Sequence, residues 1–91
     1  MKKLSIAEIN KNLQNLVGWE LFGEEITKTS EFKSFKQSME LVNKVASLAE
    51  KLNHHPDIKI EWNKVTLNLS THSENGLTQK DFELAEQINN L

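Results

Sequence analysis

A single stretch, Glu50-Lys51-Leu52-Asn53-His54-His55-Pro56-Asp57, joins the longest amphipathic segment of the chain to its clearest pair of strands. Pro56 cannot continue a helix and pushes His55 into an extended conformation, so the helix is predicted to end near Asn53. Two of the three histidines stand here, and imidazole is the side chain whose unperturbed form exchanges protons near pH 7. Glu50 either hydrogen-bonds one imidazole and fixes its tautomer or is a solvated carboxylate at the helix end.

The strand pair that follows this stretch brings the third histidine back to the first two. Alternating apolar and polar residues predict strands over 57–62 and 65–72, joined by a two-residue turn at Asn63-Lys64. In such a hairpin residues 55 and 72 lie nearly opposite each other, and the alternation directs His72 away from the core-facing leucines. All three histidines are therefore predicted to lie at one end of one hairpin.

The chain before this stretch supplies a helix and another hairpin. Ser5 and Glu8 form a predicted capping box at the start of the first helix, which stops before Gly18. Residues 19–22 and 26–32 are predicted strands joined by a turn.

The longest helix is predicted to start at a capping box of Ser34 and Gln37 and to run for about five turns. Leu41 and Leu48 lie off its main apolar stripe, and they either widen the core or contact a partner subunit. The stripe consists of Phe35, Met39, Val42, Val45, Ala46, Ala49 and Leu52.

Thr78 and Asp81 predict a capping box at the start of the last helix, so Asp81 either only caps this helix or also serves a site. Trp19 is interpreted as core packing rather than as a ligand-stacking ring. The order helix, two strands, helix, two strands, helix predicts an α+β fold. We expect one domain over residues 1–91, with a four-stranded antiparallel sheet and three helices on one face.

Composition argues against several classes of protein. The chain has no cysteine, which rules out disulfides, thiolate catalysis and cysteine-bound metals. All 11 basic residues are lysine and the net charge is −2, whereas nucleic-acid binding favours arginine and positive charge. No stretch approaches the roughly 18 apolar residues of a membrane span, and the first residues do not form a targeting segment. We expect a cytoplasmic protein that binds neither nucleic acid nor membrane.

Three chemistries are open to the histidine cluster. The histidines with Asp57 offer ligands for zinc, although adjacent histidines on an extended segment point to opposite sides. Ser70 and Ser73 lie near His72, but no nucleophile elbow is present. Acid–base catalysis without a metal needs only the imidazoles themselves, and it is the interpretation that the residues favour.

A spaced set of residues resembles the pterin-4a-carbinolamine dehydratase family. The set comprises Glu50-x-x-x-His54-His55-Pro56, Trp62, Thr71-His72, Gly76-Leu77-Thr78 and Asp81, with Phe32-x-x-Phe35 before the long helix. The family's order of helices and strands is the one predicted above. Two positions depart from the family's pattern: Ile58 stands where many relatives have an aromatic residue, and Ser34 stands where an aspartate is common.

The resemblance implies a hydro-lyase that removes water from 4a-hydroxytetrahydropterin and gives quinonoid dihydropterin, with no metal or other cofactor. It implies that His54 and His72 act as acid and base and that His55 chiefly holds the pterin. The implied orienting or substrate-binding residues are Glu50, Thr71 and Asp81. Asp57 is a further candidate for this role because it stands close to the histidine pair in the sequence.

The resemblance also implies partners. Relatives form dimers or tetramers, so we expect a homodimer or homotetramer, which exposed sheet edges would favour. A functional link to an aromatic amino acid hydroxylase, whose pterin cofactor is recycled, is implied as well. The alternative is a pterin-binding or protein-interaction module with little catalysis, like the coactivator role of some animal relatives.

Overall fold

The helices and strands of the computed structural model, which describes residues 2–91, follow the predicted order. The helices are α1 (Ile6–Leu13), α2 (Phe35–Leu52) and α3 (Gln79–Asn89), and the strands are β1 (Glu20–Phe22), β2 (Glu25–Glu31), β3 (Asp57–Glu61) and β4 (Lys64–Leu69). A short 3₁₀ turn at His72–Glu74 precedes α3. The predicted α+β fold is confirmed. Within the described residues no helix is long and apolar enough to cross a bilayer.

Serine side chains start the first two helices. Ser5 Oγ accepts the N–H of Glu8 at 3.2 Å, and Glu8 Oε1 accepts the N–H of Ser5 at 2.9 Å. The Ser5 N–H thereby holds the pKa of Glu8 below its usual value. At α2, Ser34 Oγ accepts the N–H of Gln37, but the Gln37 side chain accepts the N–H of Lys33 instead of that of Ser34. The predicted capping box is complete at α1 and half-formed at α2.

The sheet has the order β1-β2-β4-β3, with every neighbouring pair antiparallel. Since β4 lies inside the sheet, its Val65, Leu67 and Leu69 are buried to 1% exposure or less. Side chains from all three helices pack into the same cluster, which places the helices on one face, as predicted. The helical members include Ile9, Val45, Leu84 and Ile88.

The turn between β3 and β4 is Trp62-Asn63, and the prediction of Asn63-Lys64 is wrong. Glu61 pairs with Lys64, and Trp62 takes a φ of +51°. Asn63 is bound to the segment before α2: its side-chain amide donates to the Phe32 carbonyl at 3.1 Å, and its carbonyl accepts the Phe32 N–H at 2.7 Å. These two long-range bonds select Asn63 as the second residue of the turn, and the local pattern does not contain them.

This turn changes the register of the hairpin. Continued past Asp57, the observed pairing sets residue 55 opposite residue 70 instead of residue 72. Strand β4 ends at Leu69, so the predicted strand to His72 is too long. The three histidines still lie at the same end of the hairpin, because β3 begins after the first two and β4 ends before the third.

The buried face of α2 is rotated relative to the predicted stripe. Leu41 and Leu48 pack against the core, so these leucines widen it. Ala46 is exposed and Phe35 is 52% exposed, whereas Ser38 is fully buried. A small side chain such as that of Ser38 lets a helix approach its neighbours closely, so hydrophobicity alone misplaces the face.

Trp19 packs in the core, as predicted, and joins the start of the sheet to the end of α3. Its side chain is buried, and its indole N–H donates to Asn89 Oδ1 at 3.0 Å. Lys28 Nζ donates to the same oxygen at 2.7 Å, and the Asn89 amide donates to the Val17 carbonyl. The indole therefore has a structural partner at its polar end.

Candidate active site

A left-handed residue ends α2 and positions the histidine pair. Asn53 has φ 51° and ψ 44°, a conformation that asparagine adopts more readily than most residues. The N–H of His54 then reaches back to the Ala49 carbonyl at 3.0 Å, the long bond of a Schellman-type helix ending. This bond holds the backbone of His54 against the last turn of α2.

Asn53→Ala is expected to lower the free energy of unfolding by about 1 kcal/mol, because alanine disfavours the left-handed conformation. Asn53→Gly should stay within a few tenths of a kcal/mol of the wild type, since glycine adopts this conformation without strain. Urea denaturation of the three proteins tests both values. Equal stability of the alanine and glycine variants would contradict the argument.

His54 pairs with a fully buried carboxylate of the last helix. Its Nε2 lies 2.6 Å from Asp81 Oδ1, and the two side chains are 11% and 0% exposed. Asp81 stands in the first turn of α3, where the helix dipole stabilises a negative charge. A charge buried this deeply requires hydrogen bonds from its surroundings.

The second carboxylate oxygen of Asp81 meets that requirement. Thr71 Oγ1 donates to Oδ2 at 2.8 Å, and the backbone N–H of Thr78 donates to it at 2.9 Å. The hydroxyl oxygens of Thr71 and Thr78 lie 2.8 Å apart, and both residues are buried. In residues 2–91 no buried side-chain nitrogen or oxygen lacks a partner. Asp81 therefore caps α3 and contacts His54 at the same time.

Thr78 is one of the residues that carry the family resemblance, but the sequence predicted no role for it in the site. The capping-box pattern predicts that it starts α3, and in the structure its hydroxyl contacts that of Thr71 in the network around Asp81. The signal was present in the pattern, because a box that contains Asp81 necessarily places Thr78 beside it.

His55 pairs with Glu50 of the last helical turn. The distance from Nε2 to Oε2 is 2.5 Å, and the side chains are 57% and 78% exposed. Of the two alternatives for Glu50, the hydrogen bond to an imidazole is the one observed. An exposed pair of this kind contributes about 0–1 kcal/mol, so it matters for orientation more than for stability.

His72 lies on a short loop next to the buried network. It follows Thr71, whose N–H donates to the Gly76 carbonyl at 2.8 Å and closes the loop. The side chain of His72 is exposed. Because Thr71 bonds Asp81 and Asp81 bonds His54, the backbone of His72 is one residue from the network that holds His54.

Asp57 stands apart from these contacts. It begins β3 and is exposed. Its partner on β4 is Asn68, which lies between the buried Leu67 and Leu69 in the sequence. Strand alternation therefore turns its side chain to the face of the sheet opposite the helices. Adjacency in sequence suggested a place beside the imidazoles, and its participation in the site stays a prediction.

The assembled groups are suited to moving protons. Two adjacent imidazoles each direct one ring nitrogen at a carboxylate, and a third imidazole is exposed at the same end of the hairpin. Imidazole both donates and accepts protons near neutral pH. Among residues 2–91 no three histidine, cysteine, aspartate or glutamate side chains are grouped as metal ligands would be.

Known proteins with similar chains carry one family description. The family model described as pterin 4 alpha carbinolamine dehydratase matches residues 2–91. A relative from Roseiflexus sp., named after that dehydratase, is 53% identical over 89 residues, which are 98% of this chain and 96% of the relative. Another so named, from Sulfolobus acidocaldarius, is 45% identical over 98% of each chain. The crystal structure of a transcriptional coactivator/pterin dehydratase from Brucella melitensis superimposes with a TM-score of 0.94 at 37% identity, covering 98% of this chain and 97% of that one.

Proposed function

The chain belongs to the pterin 4 alpha carbinolamine dehydratase family, and from this membership we propose that it is a hydro-lyase acting on a 4a-hydroxytetrahydropterin. The leaving hydroxyl of such a substrate is bound to a ring carbon next to a nitrogen. The nitrogen lone pair expels the oxygen once an acid has protonated it, and a base removes the nitrogen-bound proton. The products are water and quinonoid dihydropterin, and since no electrons are gained or lost, an acid and a base suffice.

One observation supports this chemistry most directly: two adjacent imidazoles are each held by a carboxylate, His54 by Asp81 and His55 by Glu50. His54 and His72 act as the acid and base of the proposal, and each positioned group contributes about 10²–10⁴-fold to the rate. His55 is exposed and chiefly holds the pterin.

Burial separates the supporting roles. Asp81 and Thr71 are buried, so they act by orienting His54 and not by touching the substrate. Glu50 is exposed and orients His55 through their hydrogen bond. Asp57 is retained as a substrate-binding residue because it is exposed at the same end of the hairpin.

The proposal extends to the setting of the reaction. The pterin is the substrate, and no metal or further cofactor takes part. The protein acts in the cytoplasm as a homodimer or homotetramer and recycles the pterin cofactor of an aromatic amino acid hydroxylase. Support for self-association comes from β1 and β3, which end the sheet as unpaired edges in the described chain.

A second function is favoured by one comparison. The name of the Brucella melitensis structure pairs transcriptional coactivator with pterin dehydratase. The alternative for this chain is accordingly a pterin-binding or protein-interaction module in which the site is retained and the chemistry is slow.

Dehydration of freshly generated 4a-hydroxytetrahydropterin, followed by stopped-flow absorbance, tests the two functions. The dehydratase should raise the rate in proportion to its concentration, above the rate in buffer. Pterin binding without acceleration, measured by calorimetry, would favour the alternative. Absence of both binding and acceleration would contradict both.

A further inference from the structure

We propose that a one-way chain of hydrogen bonds, from Thr78 through Thr71 to Asp81, holds His54 as its Nε2–H tautomer, so that Nδ1 is the ring atom presented to the substrate. Thr78 is then a positioning residue of the site. This inference deepens the proposed function, on which its catalytic meaning rests, but the tautomer itself is a property of the free protein.

The direction of the chain follows from counting protons. An ionised carboxylate accepts hydrogen bonds and donates none. Thr71 has a single hydroxyl proton, and its oxygen lies 2.8 Å from both Asp81 Oδ2 and Thr78 Oγ1. That proton must go to Oδ2, since otherwise two lone pairs would face each other. The contact between the two threonines is therefore a bond that Thr78 donates and Thr71 accepts.

The same count fixes the proton at His54. Asp81 Oδ2 already accepts from the Thr71 hydroxyl and the Thr78 N–H, two donors that stabilise a negative charge on the carboxylate. Because the ionised carboxylate has no proton to donate, the hydrogen bond between Nε2 and Oδ1 must carry its proton on the nitrogen. His54 thus donates from Nε2 across the 2.6 Å contact.

The remaining ring nitrogen is open. Within residues 2–91 the His54 ring makes its hydrogen bond through Nε2, so Nδ1 has no partner. In the same residues every buried side-chain nitrogen has a partner, which means that Nδ1 is not a buried atom. Nδ1 is therefore among the atoms that solvent reaches, although the side chain as a whole is only 11% exposed. A neutral imidazole held in this way offers its Nδ1 lone pair outward.

This arrangement assigns the base of the reaction. In the neutral ring Nδ1 takes the nitrogen-bound proton of the pterin: the substrate N–H bond breaks and an Nδ1–H bond forms. Asp81 stabilises the imidazolium that results, as the carboxylate of a Ser-His-Asp triad does. His72 is left as the acid that protonates the departing hydroxyl.

Nitrogen-15 NMR of the histidine rings tests the tautomer without substrate. The untagged chain has only three histidines, and the His54 signals are those lost in His54→Gln. With the pH raised until the spectrum stops changing, the wild type should show a protonated Nε2 and an unprotonated Nδ1. The opposite tautomer in the wild type would overturn the proposal.

Asp81→Asn should invert the tautomer. The donors Thr71 and Thr78 select the amide oxygen of Asn at the Oδ2 position, so its NH₂ group faces His54 and forces Nε2 to accept. The proton then moves to Nδ1, and kcat should fall about 100-fold or more; in a Ser-His-Asp triad the same change costs about 10⁴-fold through the wrong tautomer. An unchanged His54 spectrum or kcat in Asp81→Asn would refute the assignment.

Thr78→Val tests the end of the hydrogen-bond chain that lies farthest from His54. It removes one buried hydroxyl, so kcat should fall about tenfold, with KM within about twofold because Thr78 does not touch the substrate. Thr78→Ser should restore kcat. The matched control is Thr66→Val, which breaks a similar threonine pair with Thr29 elsewhere on the sheet and should leave kcat and the His54 signals unchanged.

The outcomes separate this inference from the proposed function. If a folded Thr78→Val protein had the wild-type kcat and the wild-type His54 signals, Thr78 would not be part of the hydrogen-bond chain that holds His54. If Thr78→Val or Asp81→Asn does not fold, the wild-type spectrum still decides the tautomer. An Nε2–H tautomer in a protein that fails to dehydrate the pterin would uphold the hydrogen-bond assignment and contradict the proposed function.

Discussion

His72→Ala is expected to lower kcat for the dehydration by about 10²–10⁴-fold, the range that one positioned acid or base contributes. The side chain is exposed on a loop that Thr71 and Gly76 close through their backbones. Its removal should therefore change the free energy of unfolding by less than about 0.5 kcal/mol. His55→Ala should likewise stay folded and lose most of the activity, through weaker binding of the pterin.

Ser73→Ala is the control for His72→Ala, because it truncates the next exposed residue of the same loop. It should keep wild-type kcat, which would also exclude Ser73 as a nucleophile. Stopped-flow rates and urea denaturation on each variant give the two quantities needed. Wild-type turnover in both His55→Ala and His72→Ala would end the case for an enzyme that uses these imidazoles.

Asp81→Ala should have the largest effect on stability, lowering the free energy of unfolding by about 2–4 kcal/mol. The variant leaves the Thr71 hydroxyl, the Thr78 N–H and the His54 ring without their buried acceptor. It also frees the His54 ring to rotate, so kcat should fall as well. Asp81→Ala should therefore lower both kcat and the free energy of unfolding, whereas His72→Ala should lower kcat alone.

Glu83→Ala is the matched control, since it removes an exposed carboxylate from the same helix. Urea denaturation should place it within about 0.5 kcal/mol of the wild type. If Asp81→Ala proved as stable as Glu83→Ala, the buried network would be contributing nothing to the fold.

The fold was predictable where the pattern of apolar and polar residues in a segment matches the burial of those residues in the folded protein. Val65, Leu67 and Leu69 alternate cleanly because β4 lies inside the sheet with one face on the core. The turn after β3 was not predictable, since hydrogen bonds from Asn63 to the distant Phe32 select it. The buried face of α2 was misplaced for a similar reason: Ser38 is polar by type but small enough to pack inside.

The candidate site was predictable in part. The antiparallel hairpin alone places the three histidines at one end, whichever residues form its turn. The hydrogen bond between His54 and Asp81 joins residues 27 positions apart and depends on how α3 docks. The hydrophobic periodicity of the sequence does not predict that docking. For Asp57, adjacency in sequence does not determine the direction of the side chain, because neighbouring residues of a strand point to opposite faces, and its part in the site stays a prediction.

Capping of α3 by Thr78 and Asp81 ties the docking of the last helix to the assembly of the proposed catalytic groups. A molecule whose terminal segment had come loose would lose its cap, its buried carboxylate and its oriented imidazole in a single cooperative event. Partly melted species should therefore be inactive, and on gradual heating the decline in turnover should track the unfolding curve instead of preceding it.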